Sequence, residues 1–257
     1  MKSLVGVGGI VLDEADLRPI GSAIEALCIE YGFPPNEPFK WSPGKGLWMR
    51  ENLIEAKRTE FFKGVLTLLQ GAKATAICVL TERGAAFATG EARTQEQDAV
   101  YMLLERFNGS LGFQELGVAI ASRPSGGRRD EDELLKACEE VRQNGTAYSK
   151  FNKIALNVVS MAAGSSRLLQ AADLIISITG AMVAGHEKFA DGLWEDVKSL
   201  LRNEGGRIGG VGLKIHPDLR YANLYHWLAG DDHFWRFNSG YPMPLPDRPF
   251  ATSAERR

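Results

Sequence analysis

One carboxylate has an unusual setting: Asp173 lies near the start of the apolar, helix-length stretch SSRLLQAADLIISITGAMVAG, residues 165–185. An unpaired carboxylate on a core-facing helix is costly unless it is neutralised, hydrogen-bonded or coordinated to a metal. Asp173 is therefore either a metal ligand or a structural carboxylate hydrogen-bonded to Ser165, Ser166 or Gln170. The residues alone leave these two interpretations open.

A second candidate lies in the proline- and glycine-rich loop FPPNEPFKWSPGKGLW, residues 33–48. Lys40, Trp41 and Lys45 place cations beside an aromatic ring, and this combination can hold a phosphate backbone and stack a base. The loop therefore suggests a contact with nucleic acid.

Other motifs carry less chemistry. Gly6, Gly8 and Gly9 resemble part of a dinucleotide-binding fingerprint, but Val11 replaces its last glycine, so close packing of a strand is the better interpretation. The SPGKG segment lacks the flanking residues of a phosphate-binding P-loop. No G-x-S-x-G elbow is present, so the sequence does not support covalent nucleophilic catalysis.

Histidine and cysteine spacings do not indicate a metal site. The spacings between His216, His226 and His233 match no common zinc motif. The three cysteines are far apart in sequence and form neither a metal knuckle nor a disulfide framework: Cys28, Cys78 and Cys138. A reducing cytoplasm is the expected location.

Composition is that of a soluble globular protein. The 257 residues include 44% hydrophobic residues and carry a net charge of -2, without the basic excess that is typical of nucleic-acid-binding proteins. No secretory signal is recognised at the N-terminus. The apolar helix is shorter than the roughly 20 residues of a membrane span and is interrupted by polar side chains, which predicts a core helix and no membrane partner.

The elements that must position the candidate residues alternate between strand and helix. Strands are predicted at 4–12, 73–80, 115–121 and 153–159, and helices at 13–32, 49–69, 94–108, 130–143, 165–184 and 191–203. Asp13 or Asp16 should cap the first helix, Thr94 with Gln97 should form a capping box, and Ser165 or Ser166 should cap the apolar helix. The alternation predicts an α/β fold in which one central sheet has helices on both faces.

A domain boundary is predicted near residue 186. Residues 1–186 should form the core domain, and residues 187–257 a helical and aromatic C-terminal extension that packs on it or on a second subunit. Its large aromatic residues are expected to be covered, because exposed apolar patches usually mark an interface. They are Trp227, Phe234, Trp235, Phe237 and Tyr241.

The segment LLQAADL resembles the L-Q-x-A-D-L motif of the family called domain of unknown function 3800, which belongs to the ribonuclease H-like superfamily. The matching residues are Leu169, Gln170, Ala172, Asp173 and Leu174. Three further segments resemble the family in the same order: LVGVGGIVL (4–12), FKWS (39–42) and VAIASRPSGG (118–127). The resemblance covers roughly residues 4–186.

This resemblance implies a ribonuclease H-like layered fold with a mixed central sheet, and a metal-dependent nuclease that uses Mg²⁺ or Mn²⁺. Asp173 would be the catalytic metal ligand and Gln170 would orient it. Lys40 and Trp41 would contact the polynucleotide.

Two departures from the family affect the chemistry. Family members begin with a strand ending in D-E-S-G-D or a close variant, which is not found here, and Ala121 and Ser122 stand where many members have an aspartate. Ribonuclease H-like catalysis needs several carboxylates around one or two metals. Either an acidic strand lies upstream of Met1, or the chain is a non-catalytic binding or assembly module that kept the fold. The chain as given is predicted to have little or no nuclease activity.

Overall fold

Two β-sheets organise the part of the chain that the computed structural model describes, residues 4–82, 94–216 and 222–231. The strands are β1 (Leu4–Val11), β2 (Thr75–Glu82), β3 (Ile120–Ser122), β4 (Val159–Met161) and β5 (Leu213–His216). The helices are α1 (Glu14–Glu30), α2 (Trp48–Asn52), α3 (Glu55–Gly71), α4 (Gln95–Ser110), α5 (Arg128–Asn144), α6 (Arg167–Ala184), α7 (Asp191–Leu200) and α8 (Ala222–Ala229). The predicted α/β class is confirmed.

The main sheet has the strand order β1-β2-β5. β1 is antiparallel to β2, with Gly8 opposite Cys78, and β5 is parallel to β2 on its other side. Among the described residues, β1 therefore pairs along one edge only, and its other edge, called here the outer edge of β1, is unpaired.

The prediction of a single sheet from four strands is wrong. β3 and β4 form a separate parallel pair in which Ile120 lies opposite Val159, and α5 connects them. The neighbour of β2 is instead β5, a four-residue strand in the glycine-rich segment after α7 that the sequence analysis did not predict. Because β5 occupies that side of β2, the predicted strands at 115–121 and 153–159 do not reach the main sheet there.

Helices cover both faces of the main sheet. α4 and α6 both pack on β1 and β2 without extensive contact between the two helices, which places them on opposite faces. The predicted contact between the apolar helix and the sheet is confirmed, since Ile176 of α6 lies against Gly6 and Gly8 of β1. α6 also contacts four helices, α1, α3, α7 and α8.

Most helix boundaries agree with the predictions. The capping box of Thr94 and Gln97 opens α4, and the Ser166 hydroxyl accepts a hydrogen bond from the Leu169 amide at 3.3 Å at the start of α6. Asp13 holds the N-cap position of α1, but its side chain makes no capping hydrogen bond.

The predicted helix at 49–69 is two helices, α2 and α3. The backbone is extended at Ile54, between the two helices. The guanidinium of Arg58 donates to the backbone oxygen of Leu53 at 2.6 Å, so the carbonyl groups at the break are satisfied by a side chain.

Residues beyond 186 share the core of the residues before them. Leu213 and Ile215 of β5 are fully buried in the main sheet, and the Trp194 indole of α7 donates to the Leu228 carbonyl at 2.8 Å. Trp227 is half-buried on α8. The other four aromatic residues predicted to be covered, Phe234, Trp235, Phe237 and Tyr241, lie outside the described residues.

α6 is long and apolar enough to pass a length and hydropathy test for a membrane-spanning helix. Its leucine and isoleucine side chains at 174, 175 and 178 are nonetheless buried in the main hydrophobic core, and α6 contacts the sheet and four helices. A buried core helix also passes this test. The burial of these side chains agrees with the prediction that this segment is a core helix.

Candidate functional site

Gln170 is buried on α6 and uses its side-chain amide to hold the loop that carries Lys40. Its Oε1 accepts hydrogen bonds from the Phe39 amide at 3.2 Å and from Arg167 at 3.0 Å. Its Nε2 donates to the Ala163 carbonyl at 3.3 Å. These contacts attach the loop to α6, and Gln170 makes no hydrogen bond to Asp173 within the described residues.

Arg167 forms the second attachment between α6 and this loop. Its guanidinium pairs with Glu25 of α1 at 2.6 Å and donates to the Glu37 carbonyl at 2.7 Å. The Glu37 carboxylate in turn accepts from the Trp48 amide at 2.7 Å, at the start of α2. The loop is thus fixed at both ends of the segment that contains Lys40.

The sequence analysis missed Arg167, although a signal was present. A cation in the first turn of a helix opposes the helix dipole and needs an anionic or carbonyl partner. Arg167 directly follows the N-cap Ser166, so its position indicated that such partners existed elsewhere in the chain.

Asp173 is exposed, so the premise that it faces the core is wrong. It accepts no hydrogen bond from the neighbouring residues proposed for a structural role, Ser165, Ser166 and Gln170. Within the described residues, the interaction that acts on its carboxylate is the charge of Lys40.

The direction in which Asp173 points follows from the turn of α6. Ile176 faces β1, and the Thr179 hydroxyl lies 3.7 Å from the thiol of Cys78 on β2. Residues 173 and 179 point about 120° apart around the helix, one on each side of Ile176. Asp173 therefore faces away from β2, toward the outer edge of β1.

Two opposing effects act on the charge of Asp173. Partial desolvation by the surrounding protein raises the pKa of the Asp173 carboxyl above its usual value. The positive charge of Lys40 acts in the opposite direction and lowers this pKa. Since the side chain is exposed, solvent screening makes both effects modest. Lys40 is exposed as well, so both charges are accessible from solvent.

Trp41 has a packing role. Its ring is half-buried against the main core, with its centroid 5.7 Å from that of Phe62 on α3. A base could reach only the part of the ring that remains exposed. The loop thus brings Lys40 to the site and turns Trp41 toward the core.

A complete metal site is not assembled within residues 4–82, 94–216 and 222–231. No three histidine, cysteine, aspartate or glutamate side chains of these ranges are grouped so that they could hold a metal. Ala121 and Ser122, at the end of β3, supply no carboxylate. Asp173 is therefore a single ligand candidate, on which the charge of Lys40 acts.

The cysteines are poor nucleophiles in this fold. All three are buried and free, and burial raises the pKa of the thiols of Cys28 and Cys138 to about 11 and that of Cys78 to about 12. They remain protonated at neutral pH, which agrees with the absence of a nucleophile motif. Of the histidines, His216 ends β5 and His226 lies on α8, while His233 lies outside the described residues.

Comparison with known proteins adds no relative: no family model, no curated protein and no solved structure matches the chain. What the fold and the site define is a mixed α/β protein with an exposed aspartate and an exposed lysine whose charge acts on it. In the part of the chain that the structure describes, the strand edge that this aspartate faces is unpaired.

Proposed function

We propose that this chain is a ribonuclease H-like protein that is related to metal-dependent nucleases and acts on nucleic acid. In this proposal, Asp173 is a ligand of a divalent metal ion. The observation that carries the proposal is that Asp173 is exposed, accepts no hydrogen bond within the described residues and faces the outer edge of β1. A carboxylate in this state is free to coordinate Mg²⁺ or Mn²⁺.

The remaining ligands must come from outside the described residues. A strand that pairs with the outer edge of β1 would run about 4.8 Å from it. Its side chains on the α6 side would then lie beside Asp173, and an aspartate there would give the metal a second carboxylate. Mg²⁺ is usually bound through one or two carboxylates together with phosphate oxygens of the substrate, and it keeps several of its waters.

Lys40 has the proposed role of contacting substrate. Its exposed ammonium group, whose charge acts on Asp173, can pair with a phosphate of the nucleic-acid backbone. Gln170 and Arg167 hold the loop and so fix Lys40 near the metal position. Trp41 would contribute at most an exposed part of its ring.

The rival function is a non-catalytic binding or assembly module. It is favoured by the lack of a three-ligand group in the described residues and by the use of Gln170 for holding the loop. In that case Asp173 is an ordinary surface carboxylate.

Cleavage assays with and without an added acidic strand test the proposal. The chain as given is incubated with single-stranded and duplex DNA and RNA in Mg²⁺ or Mn²⁺, and so is a version with a β-strand carrying one aspartate fused ahead of Met1. Hydrogen exchange of the β1 amides shows whether the added strand has paired. We expect little cleavage by the chain as given and clear cleavage by the extended chain.

Two substitutions distinguish the outcomes. Asp173→Asn should abolish cleavage by the extended chain, whereas Asp132→Asn, which alters an exposed aspartate on α5, should not. An extended chain that protects its β1 amides but cleaves nothing would support the binding module. Cleavage that survives Asp173→Asn would refute the proposed role of Asp173.

A further inference from the structure

A group of cations lies on the loop that carries Lys40 and on the two helices that follow it, α2 and α3. Residues 40–58 contain five lysines and arginines but only two glutamates, although the whole chain has a net charge of -2. Lys40, Lys45 and Arg50 are exposed, and Arg58 is half-buried. These four residues are called here the α2 basic patch.

Contacts with backbone and core atoms hold the patch together around α2. The Lys40 amide donates to the Met49 sulfur at 3.1 Å, and the Arg50 guanidinium donates to the Pro43 carbonyl at 3.3 Å, so the loop is folded against α2. From α3, the Arg58 guanidinium lies 3.5 Å from the Arg50 carbonyl oxygen. Three consecutive segments of the chain therefore assemble the patch.

Arg50 and Arg58 are neighbours of like charge. Partial desolvation lowers the pKa of the Arg58 guanidinium, and the positive charge of Arg50 lowers it further. Within the described residues, no side chain of the patch forms an ion pair with a carboxylate, whereas most of the other arginines do. An anion placed beside Arg50 and Arg58 would offset their repulsion and accept charge-assisted hydrogen bonds from them.

We propose that the α2 basic patch binds the phosphates of a nucleic-acid strand that passes from Lys40 along α2. This inference rests on the proposed function and deepens it, because it extends the substrate contact of Lys40 to Lys45, Arg50 and Arg58. The planar guanidinium of arginine presents several donors in a geometry that matches phosphate. Backbone contacts fix the positions of Arg50 and Arg58, which suits the regular phosphates of a strand better than the mobile headgroups of an anionic membrane.

Binding of a fluorescein-labelled, single-stranded thymidine oligonucleotide to the full chain tests this inference. Anisotropy is measured in EDTA, so that no metal at Asp173 contributes, and at salt concentrations from about 50 to 200 mM. Each phosphate contact that is lost should reduce the slope of log K against log salt concentration by about 0.7. We expect this reduction, and binding that is about three- to tenfold weaker at about 100 mM salt, in Arg50→Gln and in Lys45→Gln. Lys45 is fully solvated, so a folding defect in Arg50→Gln does not decide the result.

The matched control is Arg128→Gln on α5, which removes the same charge from a side chain that is 92% exposed. It should bind with the slope of the wild type, and thermal unfolding should show that all variants remain folded. Wild-type slopes in both Arg50→Gln and Lys45→Gln would overturn the inference, as would an equal loss in Arg128→Gln. A wild type that does not bind the oligonucleotide would overturn it too, whether or not it binds vesicles of phosphatidylcholine and phosphatidylserine.

The same measurements separate this inference from the proposed function. If Lys40→Gln reduces the slope but Arg50→Gln and Lys45→Gln do not, the substrate contact of Lys40 stands and the role of the α2 basic patch is wrong. If Arg50→Gln and Lys45→Gln reduce the slope but the chain extended by an acidic strand cleaves nothing, the metal role of Asp173 fails and the α2 basic patch remains a nucleic-acid-binding surface.

Discussion

Ile176 of α6 lies directly on Gly8 of β1, so closely that a β-carbon on Gly8 would stand 2.8 Å from the Ile176 Cβ. Gly9, the next residue, has nothing within 4 Å of the same position. Two of the three glycines in β1, Gly6 and Gly8, thus allow α6 to approach the strand closely. This agrees with the prediction that these glycines have a packing role. This contact sets where α6 lies and hence where Asp173 points.

Gly8→Ala should destabilise the protein by about 1 to 3 kcal/mol, because the new methyl group forces α6 away from β1. Gly9→Ala is the matched control and should change the free energy of unfolding by less than about 0.5 kcal/mol. Urea unfolding of both variants measures the difference. Equal stability of the two variants would show that α6 does not approach β1 as described.

Gln170→Ala should destabilise the protein by about 1 to 3 kcal/mol, since it leaves the buried Phe39 amide without its acceptor. Gln114→Ala, at an exposed glutamine, should have almost no effect. Chemical unfolding gives the free energies, and hydrogen exchange should show faster exchange of the Phe39 amide in Gln170→Ala alone. Unchanged exchange at Phe39 would contradict the proposed attachment of the loop.

Asp173→Asn should not destabilise the protein at neutral pH. The surrounding protein raises the pKa of the Asp173 carboxyl in the folded state, so the stabilising contribution of this group is fully present only below its unfolded pKa. That contribution is lost as the pH rises through the folded pKa, and the variant should then be equally or slightly more stable.

The size of this effect is limited because the side chain is exposed, and it should stay below about 1 kcal/mol. Unfolding of wild type and Asp173→Asn at several pH values measures it, and the difference should vanish in acid. A clear loss of stability in Asp173→Asn at pH 7 would mean that the carboxylate makes a structural hydrogen bond.

The sequence predicted the elements whose signals are local. The capping box at Thr94, the cap at Ser166 and the apolar, helix-length stretch of α6 depend on neighbouring residues, and the structure confirms all three. The division into two sheets could not be predicted, because strand pairing depends on contacts between distant segments. β5 has only four residues and follows a glycine-rich segment, so the sequence around it shows no alternating pattern that would predict a strand. Its pairing with β2 was therefore not predicted.

The candidate site was predicted only in part. Asp173 and Lys40 could be selected from residue type, and in the structure the charge of Lys40 lowers the pKa of the Asp173 carboxyl, against the raising effect of the surrounding protein. The exposure of Asp173 could not be foreseen, because it depends on how α6 packs on β1, which is a contact between distant segments. The family resemblance assigned Gln170 to orient Asp173, whereas in the structure its side chain binds the Phe39 amide. A glutamine amide can make either hydrogen bond, so the sequence could not distinguish these two partners.

The most direct test of the central claim, that Asp173 is a metal ligand, is the paramagnetic broadening of backbone amide signals during titration with Mn²⁺. We predict weak binding, with selective broadening around residues 172–174, Lys40 and the outer edge of β1. This broadening should disappear in Asp173→Asn and persist in Asp132→Asn. Broadening that is absent from this region, or that is unchanged in Asp173→Asn, would contradict the claim.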